Sequence, residues 1–122
     1  MSISILAIDD SRTMRDLLRL TLEDAGFFVT TAEDGADGVR KLADTNPDVI
    51  ITDINMPGMD GFGFIETVRS TGQNTSIPIL VLSTENSPEL KDRARSVGAT
   101  GWIVKPFNDS RLVSAIRRVA RL

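Results

Sequence analysis

The chain has 122 residues, of which 41 % are hydrophobic and 25 % charged, and its net charge is −3; this is the composition of one ordinary globular domain. It contains no cysteine and no histidine, which excludes disulfides, thiol chemistry, phosphohistidine and the usual zinc sites. No apolar run is long enough to span a membrane, no secretory signal opens the chain and the basic residues are mostly dispersed, so we expect a cytoplasmic protein that binds neither membranes nor nucleic acid.

Short apolar runs alternate with segments of helical periodicity along the whole chain. Strands are predicted at residues 3–8, 27–31, 49–52, 79–82 and 102–104. Helices are predicted from a cap at Asp10 or Ser11 to Gly26, at about 34–43, at 62–69, from Pro88 to about Val97, and from Asn108 or Asp109 onward. A polar loop is predicted at 70–78. Strict alternation of this kind predicts a doubly wound parallel α/β sheet with five helices on its two faces.

Three of the predicted helices have an apolar face that should pack on the sheet. Positions three and four residues apart define that face. In the first helix they are Met14, Leu17, Leu18, Thr21, Leu22 and Ala25. In the weaker second helix they are Val39 and Leu42, and in the last helix Leu112, Val113, Ile116, Val119 and Ala120.

Four of the predicted strands end on a reactive polar residue. The strand ends are followed by Asp9 and Asp10, by Asp53, by Ser83 and Thr84, and by Lys105 and Pro106. The carboxyl ends of parallel strands lie along one edge of the sheet, which is where open α/β sheets bind ligands. We therefore expect these side chains to face one another in one site.

The chemistry of such a site follows from its charges. Two carboxylates about 4 Å apart repel by about 4 kcal/mol at an effective dielectric of about 20, so three together need a cation or a raised pKa. Mg²⁺ prefers carboxylate, water and phosphate oxygens. Lys105 suits a phosphoryl oxygen as a point charge, Ser83 or Thr84 can donate a hydrogen bond, and one carboxylate can attack phosphorus to form an acyl phosphate.

Each of these residues also has an ordinary structural explanation. Asp10 is typical of a helix cap, Asp53 of a turn, Ser83 of a capping hydroxyl and Lys105 of a solvated strand end. Taken singly, these four signals are weak. Their coincidence on one predicted edge favours the functional interpretation.

The whole chain resembles the receiver domains of bacterial two-component response regulators. The resemblance is carried by the acidic pair Asp9-Asp10, the segment Asp53–Gly61 (DINMPGMDG), the pair Ser83-Thr84 and the segment Lys105–Phe107 (KPF). The spacings also fit, with 30 residues from Asp53 to Ser83 and 22 from Ser83 to Lys105. The resemblance implies a strand order of 2-1-3-4-5 and a single receiver domain over residues 1–122.

The resemblance also implies a role for each residue of the site. Asp53 is the implied phosphoacceptor. The implied Mg²⁺ ligands are the side chains of Asp10 and Asp53, Asp9 partly through water, and the backbone carbonyl of Asn55. Ser83, beside Thr84, would reach the phosphoryl group in the active state. Lys105 would bind the phosphoryl group, and its peptide bond to Pro106 is expected to be cis.

Three further positions refine the resemblance. Trp102 falls at the switch position, where Tyr or Phe is more usual, although a packed core tryptophan is the simpler alternative. Asn55 and Glu85 lie at the positions that tune the lifetime of the phosphoryl group, and this pair is typical of the single-domain chemotaxis regulators of the CheY type. Glu85 as an ordinary exposed loop acid is the alternative.

The resemblance implies partners and leaves rival functions open. We expect a monomer that is phosphorylated by a chemotaxis-type histidine kinase, is dephosphorylated with the help of a phosphatase, and acts on an output protein such as the flagellar motor switch. We expect no output domain, so a surface around the fourth helix, the fifth strand and the last helix should carry the signal, marked by Lys91, Arg93 and Arg117. It would not be an enzyme in the ordinary sense, only a domain with self-phosphorylation and self-dephosphorylation chemistry.

The alternative functions belong to different classes of protein. One is a Mg²⁺-dependent phosphohydrolase with an aspartate nucleophile, resembling the haloacid dehalogenase group, although Asn55 stands where that group needs a second carboxylate. Another is a receiver-like interaction module that is not phosphorylated. Within the family, a stand-alone receiver of another phosphorelay and a phosphate sink remain open.

Overall fold

The computed structural model describes residues 2–71 and 76–120 of the chain. Five strands and five helices alternate in it. The strands are β1 (Ser4–Ile8), β2 (Phe28–Ala32), β3 (Val49–Thr52), β4 (Ile79–Ser83) and β5 (Gly101–Val104). The helices are α1 (Arg12–Asp24), α2 (Gly35–Thr45), α3 (Gly61–Ser70), α4 (Pro88–Val97) and α5 (Asp109–Val119).

All four strand pairings are parallel, and the strands lie in the order β2-β1-β3-β4-β5. The predicted fold class and strand order are therefore confirmed. The register sets Ile8 beside both Ala32 and Thr52, and Ser83 beside Val104. The three central strand ends thus meet at one edge of the sheet.

Each helix begins at a side chain that accepts a hydrogen bond from a backbone N–H of the first turn. These capping residues are Ser11, Asp34, Asp60, Ser87 and Asn108. Such caps satisfy donors that have no partner within the helix. Of the two candidate caps for α1, the structure selects Ser11, which leaves the Asp10 carboxylate available for other contacts.

The core forms one layer on each face of the sheet, so the strands are buried on both sides. Leu6 and Ile8 of β1 pack with α2, α3 and α4, in a cluster that includes Phe64 and Ile65. The alternate residues of β1 pack with α1 and α5. That second cluster contains Ile5, Ala7, Leu18, Leu22, Leu112 and Ile116.

Several local predictions need correction. Strand β2 begins one residue later than predicted, so Phe27 is buried and Phe28 is 67 % exposed. Leu17 was expected on the inner face of α1 but is 44 % exposed, because it lies at the margin of the apolar face where no neighbour covers it fully. Within the predicted loop 70–78, residues 72–75 lie outside the described part of the chain. No helix in the described part is long and apolar enough to cross a membrane.

Gly61 brings α3 close to the end of β3. A Cβ atom at this position would lie 2.2 Å from the Asp53 carbonyl oxygen and 2.7 Å from the Cα of Ile54. The Gly61 N–H also donates to the Ile54 carbonyl at 2.9 Å. The start of α3 is therefore packed directly on the backbone that carries Asp53.

We expect Gly61→Ala to lower the free energy of unfolding by about 3 kcal/mol, because the added methyl group meets backbone atoms that cannot move aside cheaply. Gly63→Ala is the matched control on the same helix, where the nearest atom to the added methyl is the Met59 side chain at 3.3 Å. The control should change the free energy of unfolding by under about 1 kcal/mol. Urea denaturation measures both, and equal losses in the two variants would contradict the packing argument.

Candidate functional site

Backbone hydrogen bonds continue the sheet beyond its strand ends and hold three polar residues at one edge. The Asp9 N–H donates to the Ala32 carbonyl at 3.1 Å, and the Asp53 N–H donates to the Ile8 carbonyl at 3.0 Å. The Lys105 N–H donates to the Ser83 carbonyl at 2.8 Å. These side chains are therefore carried by rigid backbone, although they are far apart in the sequence.

Lys105 joins two of the strand ends through its side chain. Its Nζ atom lies 2.8 Å from Asp9 Oδ2 and 2.9 Å from Asp53 Oδ2. Asp9 is 2 % exposed and Asp53 is 9 % exposed, so both carboxylates depend on the ammonium group for compensation. Burial by itself lowers the pKa of Lys105, but the hydrogen bonds and charges of the two carboxylates outweigh it, and the pKa is raised above its ordinary value of 10.5.

Asp10 completes an acidic pocket. Oxygen atoms of Asp9, Asp10 and Asp53 all lie within 4.8 Å of one another. Asp10 is exposed, whereas Asp9 Oδ1 accepts from the Ser11 N–H at 2.9 Å and Asp53 Oδ1 from the Ile54 N–H at 2.7 Å. Three carboxylates beside one ammonium group leave an excess of negative charge. A set of hard oxygen donors with that excess fits a divalent cation such as Mg²⁺.

The two hydroxyl residues at the end of β4 have different environments. Ser83 is fully buried, and its Oγ accepts from the Glu85 N–H at 3.2 Å. Because this bond uses a lone pair, the hydroxyl hydrogen of Ser83 remains available for a second bond. Thr84 is exposed. The structure therefore places Ser83, and not Thr84, in the buried layer with Asp9 and Asp53.

Glu85 contacts both Trp102, the predicted switch residue, and Asn55, the other residue predicted to tune the lifetime of the phosphoryl group. The indole Nε1 of Trp102 donates to the Glu85 carbonyl at 3.0 Å. The Glu85 carboxylate accepts from the Asn55 side-chain amide at 3.4 Å, a long and weak contact. Trp102 is partly buried and packs against the core cluster of α2, α3 and α4. The Lys105–Pro106 peptide bond is cis.

Three basic residues were predicted to mark the surface around α4, β5 and α5, which we call the distal surface. In the structure these three side chains point to different parts of the molecule. Lys91 lies beside Trp102, in a cleft between α4 and β5. Arg93 instead lies over the Phe62 ring, 4.0 Å from its centroid. Arg117 points to the α1 side of the molecule, where it donates to the Ala25 carbonyl at 3.2 Å. The predictions for Arg93 and Arg117 were therefore wrong, because the direction of a side chain on a helix depends on its neighbours.

Two other arginines lie near Trp102. Arg95 lines the same cleft as Lys91, and Arg118 lies with Trp102 at a cavity between β5 and α5. Sequence reasoning missed both. The spacing of Lys91 and Arg95, four residues apart on one helix, was the available signal for Arg95.

Comparison with known proteins agrees with this geometry. Residues 5–117 match the family model of the response regulator receiver domain. The chain belongs to the response regulator receiver family. Membership in this family implies a histidine kinase and an output target as partners, and an acidic pocket that binds Mg²⁺; receiver domains are generally not enzymes in their own right.

Individual relatives include a chemotaxis protein. It is 47 % identical to the chemotaxis protein CheY4 of Vibrio cholerae, with a TM-score of 0.94 over 98 % of this chain and 99 % of that one. It is 35 % identical over 115 residues to Protein PilG of Pseudomonas aeruginosa, covering 94 % of this chain and 85 % of PilG. It is also 35 % identical over 121 residues to response regulator MprA of Mycobacterium ulcerans, covering 99 % of this chain and 51 % of MprA. The chain thus spans about half the length of MprA.

We expect Lys105→Met to lower the free energy of unfolding at neutral pH, without divalent cations, by about 3 kcal/mol, because two buried carboxylates lose their compensating charge. The pH dependence follows from the raised pKa of Lys105. Its stabilising effect is complete below about pH 10.5 and is lost as the pH rises through the higher pKa of the folded state.

Urea denaturation between pH 8 and 12 measures this difference, and the chain suits the experiment because it has neither tyrosine nor cysteine to titrate in that range. The curves of the unaltered chain and of Lys105→Met should converge at high pH. Curves that stay parallel across the range would contradict the ion pairs.

Proposed function

We propose that this chain is a phosphorylation-dependent receiver in which Asp53 accepts a phosphoryl group from a histidine kinase, in the presence of Mg²⁺, and thereby changes the binding of an output partner. One observation supports it most: Asp9, Asp10, Asp53 and Lys105 come from three separate strand ends and meet in a single pocket. If these residues only capped a helix, formed a turn or ended a strand, they would have no reason to meet in one pocket.

The proposed reaction needs little covalent chemistry from the protein. A carboxylate oxygen of Asp53 attacks phosphorus, the phosphorus–nitrogen bond of the kinase phosphohistidine breaks, and the imidazole leaves with the bonding electrons. Mg²⁺, when bound by the acidic pocket, would neutralise charge on the phosphoryl oxygens. Lys105 exchanges its contact with Asp53 for a phosphoryl oxygen and keeps its contact with Asp9. Catalysis then rests on positioning and charge compensation, as in phosphoryl transfer generally.

The same contacts suggest how phosphorylation is transmitted. The phosphoryl group adds a charge of about −2 near neutral pH. If Ser83 turns toward it, the contact between Ser83 Oγ and the Glu85 N–H is lost. The carbonyl of that same residue holds the Trp102 indole, so the loop after β4 links the pocket to the distal surface. A shift between two populated forms of this loop suffices for switching.

We further propose a role in chemotaxis, with the flagellar motor switch as the output partner. Support comes from the 47 % identity with CheY4 over nearly the full length of both chains. A pull-down with purified flagellar switch protein, comparing the phosphorylated and unphosphorylated forms, tests this directly. Equal binding of both forms would favour another phosphorelay or a phosphate sink.

Asp53→Asn should abolish stoichiometric phosphorylation by acetyl phosphate in Mg²⁺, because the amide is a poor nucleophile. Asp92→Asn is the matched control, since that carboxylate is exposed on α4 and contacts only Arg95 among the described residues. Intact-protein mass spectrometry should show a phosphoryl adduct in the unaltered chain and in Asp92→Asn alone. A persistent adduct in Asp53→Asn would refute the assignment of Asp53.

Millimolar Mg²⁺ should raise the thermal midpoint, because a ligand that binds only the folded state stabilises it. At a concentration of ten times Kd the gain is about 1.4 kcal/mol. Asp10→Asn should largely remove this gain, and it should leave the fold intact because Asp10 is exposed. Differential scanning calorimetry with and without EDTA measures both, and an equal Mg²⁺ effect in the two proteins would count against a ligand role for Asp10.

A further inference from the structure

Asp9 has a hydrogen-bond partner on every one of its polar atoms. Its N–H donates to the Ala32 carbonyl, its Oδ1 accepts from the Ser11 N–H and its Oδ2 from Lys105. Its remaining polar atom, the carbonyl oxygen, accepts from the Nη1 of Arg15 at 2.9 Å. Arg15 is therefore the one α1 side chain, among the described residues, that holds the backbone of the acidic pair.

The Asp9 carbonyl belongs to the peptide unit that joins Asp9 to Asp10. That unit is planar and rigid, so fixing its oxygen also fixes the direction in which the chain continues to Asp10. The Asp10 side chain has no hydrogen bond or ion pair within the described part of the molecule. Its position therefore depends on the backbone alone, and the contact with Arg15 restrains that backbone at the point where Asp10 begins.

Arg15 is not a general electrostatic partner of the pocket. Its guanidinium makes this one hydrogen bond and no ion pair among the described residues. A positive charge near the acidic cluster would, by its charge alone, oppose the binding of a divalent cation. If Arg15 favours cation binding, it must therefore do so by positioning the ligands and not by its charge. Removal of Arg15 should then weaken Mg²⁺ binding, whereas loss of its charge alone would strengthen it.

We propose that Arg15 is a positioning residue of the acidic pocket: by holding the Asp9 carbonyl it orients the Asp9–Asp10 peptide so that both carboxylates face the divalent cation. This inference rests on the proposed function, because it concerns the cation of the same site. Groups that orient metal ligands from outside typically change metal affinity by about 10–100-fold. The contact also spans the junction between β1 and α1, so it restrains the turn through which the two acids are presented.

The test compares Arg15→Met, Arg15→Lys and Arg12→Met with the unaltered chain. Arg12 is the matched control: it lies on the first turn of the same helix, its side chain is 87 % exposed and its contact is with Asp16 at 4.0 Å. Arg12→Met and Arg15→Met remove the same charge. Titration calorimetry with MgCl₂ on the unphosphorylated proteins gives the Mg²⁺ affinity, and thermal denaturation in EDTA confirms that each variant folds.

We expect Arg15→Met to raise the Kd for Mg²⁺ about tenfold, although it removes a repelling positive charge. Arg12→Met should leave the Kd unchanged or lower it. Arg15→Lys keeps both the charge and a donor, so its Kd should lie much closer to that of the unaltered chain. Mg²⁺ binding by Arg15→Met that equals or exceeds that of the unaltered chain would overturn the proposal, as would equal weakening in Arg15→Met and Arg15→Lys.

A second measurement separates this role from the proposed function. In EDTA, the amide of Ser11, which donates to Asp9 Oδ1, should exchange faster with solvent in Arg15→Met and at the original rate in Arg12→Met, as observed by NMR. An unchanged rate in Arg15→Met would overturn the positioning role. Failure of the unaltered chain to bind Mg²⁺ would instead contradict the proposed function, while the exchange rate still reports on Arg15.

Discussion

The buried bridge from Lys105 to Asp9 and Asp53 is the interaction on which the site depends. Two carboxylates that are almost completely shielded from water would each be costly without a counter-charge. Lys105 follows β5 and supplies that charge to the carboxylates at the ends of β1 and β3. The bridge compensates the two buried carboxylates and leaves Asp10 exposed, so the pocket is both stable and accessible to a cation.

Rigid backbone gives the site its geometry. The parallel register aligns the strand ends, and backbone hydrogen bonds extend the alignment to the residues that carry the charges. The close approach of Gly61 then fixes α3 against the end of β3. A site of this kind needs little reorganisation when phosphorus arrives, which suits a reaction that relies on positioning and electrostatics.

The loop after β4 contacts both Ser83 in the pocket and Trp102, because Glu85 makes three hydrogen bonds. Glu85 offers its N–H to Ser83, its carbonyl to Trp102 and its carboxylate to Asn55. In the proposed mechanism, a change at the pocket alters the hydrogen bond that holds Trp102. Trp102 borders the cleft lined by Lys91 and Arg95. The proposed coupling between the pocket and the distal surface therefore requires a rearrangement of this loop and not of the whole sheet.

The sequence by itself determined the alternation of strands and helices, the two-sided burial of the sheet and the polar residues at its carboxyl edge, because these follow from local periodicity and capping. The resemblance to receiver domains supplied the strand order, which alternation alone leaves open. Only the tertiary structure decided that Lys105 bridges Asp9 and Asp53, that Arg15 holds the Asp9 carbonyl and that Arg93 lies over Phe62. Each of those contacts depends on the direction of a side chain toward a neighbour, often on a distant segment, and on the exclusion of water between them, neither of which is written in local sequence.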